Sequence, residues 1–145
     1  MYKHILIPTD GSELSESAIL KGVALAKSMK AKVTGLTVSS TFHTIALEPL
    51  MVTDTPVQYK KDCEARAAKY LAAIEKAAKT VDVPYAWAHV FHDQPYEAII
   101  DTAANKGCDL IVMASHGRRG MKALVLGSET TKVLTHSRIP VLVLR

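Results

Sequence analysis

Cysteine is scarce in this chain. Cys63 and Cys108 are the only two, and they form no C-x-x-C pair. The two residues read as reduced thiols, buried or half-buried, and nothing in the sequence favours the alternative of a disulfide between them. Long apolar runs are missing as well. No segment approaches a membrane span, and the run from Met1 to Pro8 is too short for the apolar core of a signal peptide. The expected location is the cytoplasm, without a membrane. Aromatic residues make only 6% of the chain, and none interleaves with the densest basic pair, Arg118-Arg119. The net charge of +4 is spread along the sequence. That balance suits an anionic ligand but lacks the concentrated footprint of a nucleic-acid binder. Metal-ligand spacing is poor too. His89 and His92 stand three apart on an expected strand, where they point to opposite faces, so together with Asp93 they do not make a chelate.

What is present is an ordinary soluble composition, with 48% hydrophobic and 22% charged residues over 145 positions, enough for one well-buried domain spanning 1–145. His4-Ile5-Leu6-Ile7 is a continuous apolar run ended by Pro8, the mark of a strand buried on both faces. A turn cluster follows, with Ser12 as N-cap of an amphipathic helix ending near Met29. Lys32–Val38 reads as a second strand. Residues 39–57 have no clean period and contain Pro49 and Pro56. They are expected to form an excursion with a short helical turn around Ile45–Met51, serving as a lid or a dimer contact. Gln58–Thr80 is a long helix with Tyr70, Leu71, Ile74 and Ala78 in its apolar stripe. Tyr85–Phe91 is a third strand, with Trp87 expected to pack under a helix. Another helix starts at Gln94-Pro95 and ends at Gly107. Asp109–Ala114, Ser128–Thr135 and Pro140–Leu144 complete the series as strand, helix and strand. Strict alternation implies an α/β fold, a five-stranded parallel sheet with helices on both faces and right-handed crossovers.

In such sheets ligands bind beyond the carboxyl ends of the strands. Three polar strand ends converge there: Pro8-Thr9-Asp10, Thr37-Val38-Ser39, and Met113-Ala114-Ser115. The last runs into a loop with Gly117, Arg118, Arg119 and Gly120, and then into Gly127-Ser128 at a helix start. Strand, glycine loop and helix N-terminus together form the layout of an anion site, where backbone N–H groups and the positive end of a helix dipole meet.

The chain resembles the universal stress proteins. Their Gly-x-x-Gly, nine residues, Gly-Ser/Thr pattern is matched by Ala114, Gly117, Arg118–Leu126, Gly127 and Ser128, with alanine in the first glycine's place. Ile7-Pro8-Thr9-Asp10-Gly11-Ser12 and Ile139-Pro140-Val141-Leu142-Val143 are similar to the family's two ends. The resemblance covers the whole chain. It implies strand order 3-2-1-4-5, a dimer, and in many members a pocket for ATP. Carried over by motif, Pro8, Thr9 and Asp10 would line the adenosine side, and Val38 would offer backbone groups to the adenine. Gly117, Gly127, Ser128, Glu129 and Thr130 would face the phosphates, Arg118 could clamp them, Met113 and Ala114 would also belong to the nucleotide site, and Asp10 or Ser128 would be near any Mg²⁺ that accompanies ATP. Two features tell against tight binding: the methyl of Ala114, which narrows the pocket or disfavours a needed backbone angle, and the carboxylate of Glu129, which repels phosphate unless it turns outward or meets a metal ion.

Four functions compete. The first is an ATP-binding regulatory protein of the stress response, non-catalytic or weakly hydrolysing, since no general base or arginine finger is evident. The second is a dimer of the same fold that binds no nucleotide and acts as an interaction module for an unidentified protein. A nucleotidyl transferase would need His-x-Gly-His or Ser-Gly-Gly after strand one, and an FMN carrier a loop richer in Ser, Thr and Gly; neither is present. His116 lies in the motif loop, and the sequence sets no carboxylate beside it to make it catalytic. Val141, Leu142, Val143 and Leu144 form an apolar edge strand, expected to pair antiparallel with the same strand of a second subunit.

Overall fold

The computed structural model describes residues 1–42, 55–117 and 125–145. The expected helical turn at Ile45–Met51 and the residues Arg118 and Arg119 lie outside this set. Strands β1 (His4–Pro8), β2 (Lys32–Ser39), β3 (Tyr85–Phe91), β4 (Leu110–Ala114) and β5 (Val141–Leu144) alternate with helices α1 (Glu13–Met29), α2 (Pro56–Thr80), α3 (Pro95–Lys106) and α4 (Ser128–His136). All strand pairings are parallel, and the order is β3-β2-β1-β4-β5.

The period of two along each strand divides the core into two layers. Ile5, Ile7, Val33, Leu110 and Val112 face one side, where Ile19, Val23 and Ala26 of α1 and Ala67, Leu71, Ile74 and Ala78 of α2 cover them. Leu6, Leu36, Ile111 and Met113 face the other, against Ile99 and Ala103 of α3 and Val133 of α4. β1 and β4 are buried on both faces, which is why they read as unbroken apolar runs. Each fully buried Ile, Leu or Val here contributes on the order of 1.5–3 kcal/mol relative to exposure.

Local signals set the element ends. Ser12 accepts the Ser15 N–H at 3.2 Å and caps α1. α2 starts two residues earlier than the apolar stripe suggests, because Thr55 accepts the Gln58 N–H and Pro56 occupies the first helical turn, where its missing donor costs nothing. Gly107 ends α3 at φ 69°. Trp87 departs from expectation. It is 62% exposed rather than packed under a helix, because β3 is the outer strand of the sheet.

At the amino ends of the strands sits a buried polar group. His4 is 6% exposed, and its Nε2 lies 2.7 Å from Thr34 Oγ1. Burial, helped by the Lys32 charge and opposed by Asp109, holds its pKa below 6.5, so the ring is neutral. Asp109 accepts the N–H groups of Lys3 and His4 there.

Candidate functional site

β1 is shorter than β2 at the carboxyl end, and the site begins in that step. The last β1–β2 pair is Pro8 with Leu36, after which Thr9 N–H donates to Leu36 O at 2.8 Å. Successive residues of a parallel strand turn their backbone groups to opposite neighbours. His92 N–H donates to Ser39 O, so Ser39 addresses β3, and Val38 addresses the β1 side, beyond the point where that strand has ended. Val38 thus presents its N–H and C=O at the strand edge, while its side chain packs on the second core layer.

Asp10 stands next to this step. Its Oδ1 accepts the Ser12 N–H at 3.0 Å, which fixes the turn into α1, while Ser12 itself supplies the helix cap. Gly11 holds φ at +76°, and a side chain there would run into the Tyr70 ring of α2. Asp10 then reaches across to Gly117. A Cβ on Gly117 would overlap Asp10 Oδ2 and lie 3.3 Å from its Cγ. The motif glycine is required by this close approach, since Gly117 has no positive φ.

The third part is the start of α4. Gly127 N–H donates to Ser115 O at 2.7 Å, and Thr130 Oγ1 donates to Ala114 O at 3.0 Å. These two bonds fasten the helix start to the end of β4. A Cβ on Gly127 would come within 3.0 Å of the His116 Cα, so this glycine too is set by packing. The backbone N–H groups of Ser128, Glu129 and Thr130 open the helix and have no acceptor among the described residues. They give the carboxyl edge of the sheet its donors, with the α4 dipole behind them.

Several side chains expected at the site are committed elsewhere. Thr9 is 5% exposed, with its hydroxyl 3.1 Å from Ser15 Oγ and accepting from Gly11 N. Thr130 is 2% exposed and tied to Ala114. Met113 points into the second core layer. These three shape the site through their backbones. Ser128 is the first residue of α4, and its hydroxyl caps nothing; the cap position belongs to Gly127. Pro8 closes β1 and is half-buried. Ala114 does not carry the backbone penalty expected of it: its φ is not positive, its methyl is buried in the strand end, and its carbonyl serves Thr130.

Glu129 resolves the second expected conflict. Its Oε2 accepts the Tyr96 N–H at 2.9 Å, in the first turn of α3, and its Oε1 meets Lys132 Nζ at 3.1 Å. Gln94, the cap residue of α3, makes no side-chain cap bond of its own. Glu129 therefore supplies that cap from the neighbouring helix, and its charge is turned toward α3 and a lysine. Nothing in the sequence around Glu129 signals a partner 33 residues away.

Sequence reasoning did not anticipate the pair Ser39 Oγ and His89 Nε2, 2.8 Å apart at the rim, with the His89 ring against Phe91. Burial holds His89 below 6.5, against the Glu64 charge. His92 Nδ1 instead accepts from Gln94 N, so His89 and His92 serve different neighbours. No metal-holding group of His, Cys, Asp or Glu occurs among the described residues. His116 Nδ1 lies 3.1 Å from the buried Ser115 hydroxyl, a local contact.

The model of the universal stress protein family matches residues 1–145. Universal stress protein MJ0577 of Methanocaldococcus jannaschii is 32% identical over 157 residues, covering 100% of this chain and 96% of the relative. The solved structure of MJ0577 superposes with a TM-score of 0.80 at 33% identity, covering 99% of this chain and 96% of that one. Universal stress protein UspA from Lactobacillus plantarum superposes at 0.78 with 26% identity, over 99% and 98% of the two chains. Among more distant structures of the same fold are a universal stress protein in complex with cAMP, at 20% identity and TM-score 0.70, and one from Archaeoglobus fulgidus in complex with dAMP, at 15% and 0.64.

Proposed function

The chain belongs to the universal stress protein family, and from that premise we propose that it binds an adenine nucleotide, ATP with or without Mg²⁺, at the carboxyl ends of β1, β2 and β4. It acts as a regulatory switch of the stress response, non-catalytic or weakly hydrolysing. One observation carries the reading. Among the described residues, the N–H groups of Ser128, Glu129 and Thr130 meet no acceptor at the start of a nine-residue helix, and the one acidic side chain among them is bonded away to Tyr96 and Lys132. Such a helix start favours an oligophosphate, and an inward carboxylate would oppose it. Val38, with its N–H and C=O directed past the end of β1, suits a flat base edge that both donates and accepts. Asp10, an acceptor when ionised, suits a ribose hydroxyl or a cation. The family's complexes with cAMP and dAMP support an adenine nucleotide as ligand class.

The fit to ATP rests on donors for its phosphates and on the glycines that leave the backbone uncovered. Mg²⁺, when bound, would neutralise phosphate charge near Asp10 or Ser128. Arg118, outside the described residues, is proposed as a further phosphate contact. Slow hydrolysis needs no dedicated base, and none is assigned. Nucleotide binding is proposed to alter the surface offered to a partner protein. The protein is proposed as a homodimer through Val141–Leu144, where Leu142 is 38% exposed.

Isothermal titration with ATP, in the presence and absence of Mg²⁺, tests the reading. Saturable binding that Gly127→Val abolishes is expected. Absence of heat in both titrations sinks it and leaves the nucleotide-free interaction module. A monomer by light scattering at micromolar concentration would rule out the β5 dimer.

A further inference from the structure

Among the described residues, nothing pairs with the outer edge of the sheet at β3. Pro84 O accepts from Val33 N at 2.8 Å, and Ser39 O accepts from His92 N at 2.9 Å. These two bonds bracket the β2–β3 ladder and assign the even-numbered residues of β3 to it. Tyr85, Trp87, His89 and Phe91 therefore turn their N–H and C=O groups outward, with their side chains on the α2 face. The same reasoning at the other edge leaves β5 only Val141 and Val143 facing outward, since Pro140 O and Leu144 O are taken by Ile111 N and Ser115 N.

β3 also carries none of the residue types that keep a sheet edge unpaired. Across Tyr85–Phe91 there is no Lys, Arg, Asp, Glu or Pro. Trp87, the chain's single tryptophan, is 62% exposed on it. A strand that pairs with its own copy sets each charge opposite a like charge or near one, and this strand carries none to be set so. Four of its seven residues bear rings, all on one face.

We propose that β3 is a self-association surface, on which β3 of a second copy of this chain docks antiparallel about a two-fold axis at Ala88. In that register Trp87 stands opposite His89 of the second copy, and Tyr85 opposite its Phe91. All four outward residues then fall in hydrogen-bonded pairs, and Ala88 meets Ala88 in a narrow, non-bonded pair. The ring-bearing side chains of both strands meet on one face, where cross-strand aromatic contacts each contribute a fraction of a kcal/mol. The two five-stranded sheets become continuous. Together with a β5 dimer, this association carries assembly beyond two chains.

Cysteine trapping tests the register. Cα atoms in a narrow antiparallel pair are about 4.5 Å apart, within the range a disulfide spans. Ala88→Cys should give a covalent dimer under mild oxidation. Ala86→Cys, exposed on the same strand but placed opposite Val90 of the second copy, should give none. The native thiols do not interfere, since Cys63 and Cys108 are 1% and 5% exposed. Trp87→Lys should weaken assembly beyond the dimer at least tenfold in sedimentation. The proposal is overturned if Ala88→Cys stays uncrosslinked, if both cysteines crosslink alike, or if Trp87→Lys leaves the size distribution unchanged.

Discussion

Gly117→Ala is the substitution whose consequence the geometry specifies best. The added methyl would overlap Asp10 Oδ2 and lie 3.3 Å from Cγ. The overlap with Oδ2 is closer than any ordinary carbon–oxygen contact, so the carboxylate must swing aside. In doing so it gives up the 3.0 Å bond from Ser12 N–H. A hydrogen bond to a charged group is worth about 1.5–3 kcal/mol, and Asp10 is half-buried, so a stability loss of about 1–2 kcal/mol is expected. If Asp10 also holds the ribose or a cation, nucleotide affinity falls about tenfold, the equivalent of about 1.4 kcal/mol. Urea denaturation and ATP titration should be run on Gly117→Ala, Asp10→Ala and the double variant. Removing the carboxylate removes the overlap, so the cost of Gly117→Ala should largely vanish in the Asp10→Ala background. Equal costs in both backgrounds would refute the steric account. An affinity that stays at the wild-type value would remove Asp10 from the site.

Other substitutions read other parts of the account. Glu129→Ala should destabilise the fold by about 1 kcal/mol through loss of the cap on α3, while Glu129→Gln keeps an acceptor for Tyr96 N–H and most of the stability; equal losses would show that the cap is not the reason. His4 is neutral when folded, with its pKa below the unfolded value of 6.5. Its contribution is complete above that pH, is lost as pH falls through the lowered folded value, and does not change further below it. Denaturation series between pH 8 and 5 should show this slope, and a His4→Gln variant should flatten it; an unchanged slope would assign the effect to other groups. Gly35→Ala should cost about 1–3 kcal/mol, because the new methyl would overlap Ile74 Cδ1 between β2 and α2; a neutral result in urea melts would mean α2 shifts freely. Burial pushes the Cys108 thiol up to about 11, so iodoacetamide at pH 8 should modify it only after unfolding, and rapid native labelling would contradict its placement.

The fold was legible because its main signals are local or periodic. Unbroken apolar runs mark β1 and β4, and Ser12, Gly107 and the alternation of elements supply the rest. Where single side chains go was less legible. Thr9 and Thr130 sit at motif positions, yet their hydroxyls serve Ser15 and the Ala114 carbonyl. A motif fixes a place along the chain, and the partner a side chain finds there depends on elements far away in sequence. Glu129 is the sharpest case: its charge argues against phosphate until Tyr96 of another helix is seen to hold it. Trp87 failed for a related reason. Bulky aromatic side chains on strands are usually covered, but β3 is an outer strand, and strand order is not a local property.

Amide chemical shifts of uniformly ¹⁵N-labelled protein, followed as ATP is added, test the central claim most directly. The account predicts the largest shifts at Gly127, Ser128, Glu129 and Thr130, with Val38, Asp10 and Gly117 moving at the same ATP concentrations. It also predicts little change in the apolar groove of about 380 Å³ between α1 and α2, lined by Leu20, Ala24 and Ala77. Shifts confined to that groove, or no shifts at the start of α4 at millimolar ATP, would contradict it.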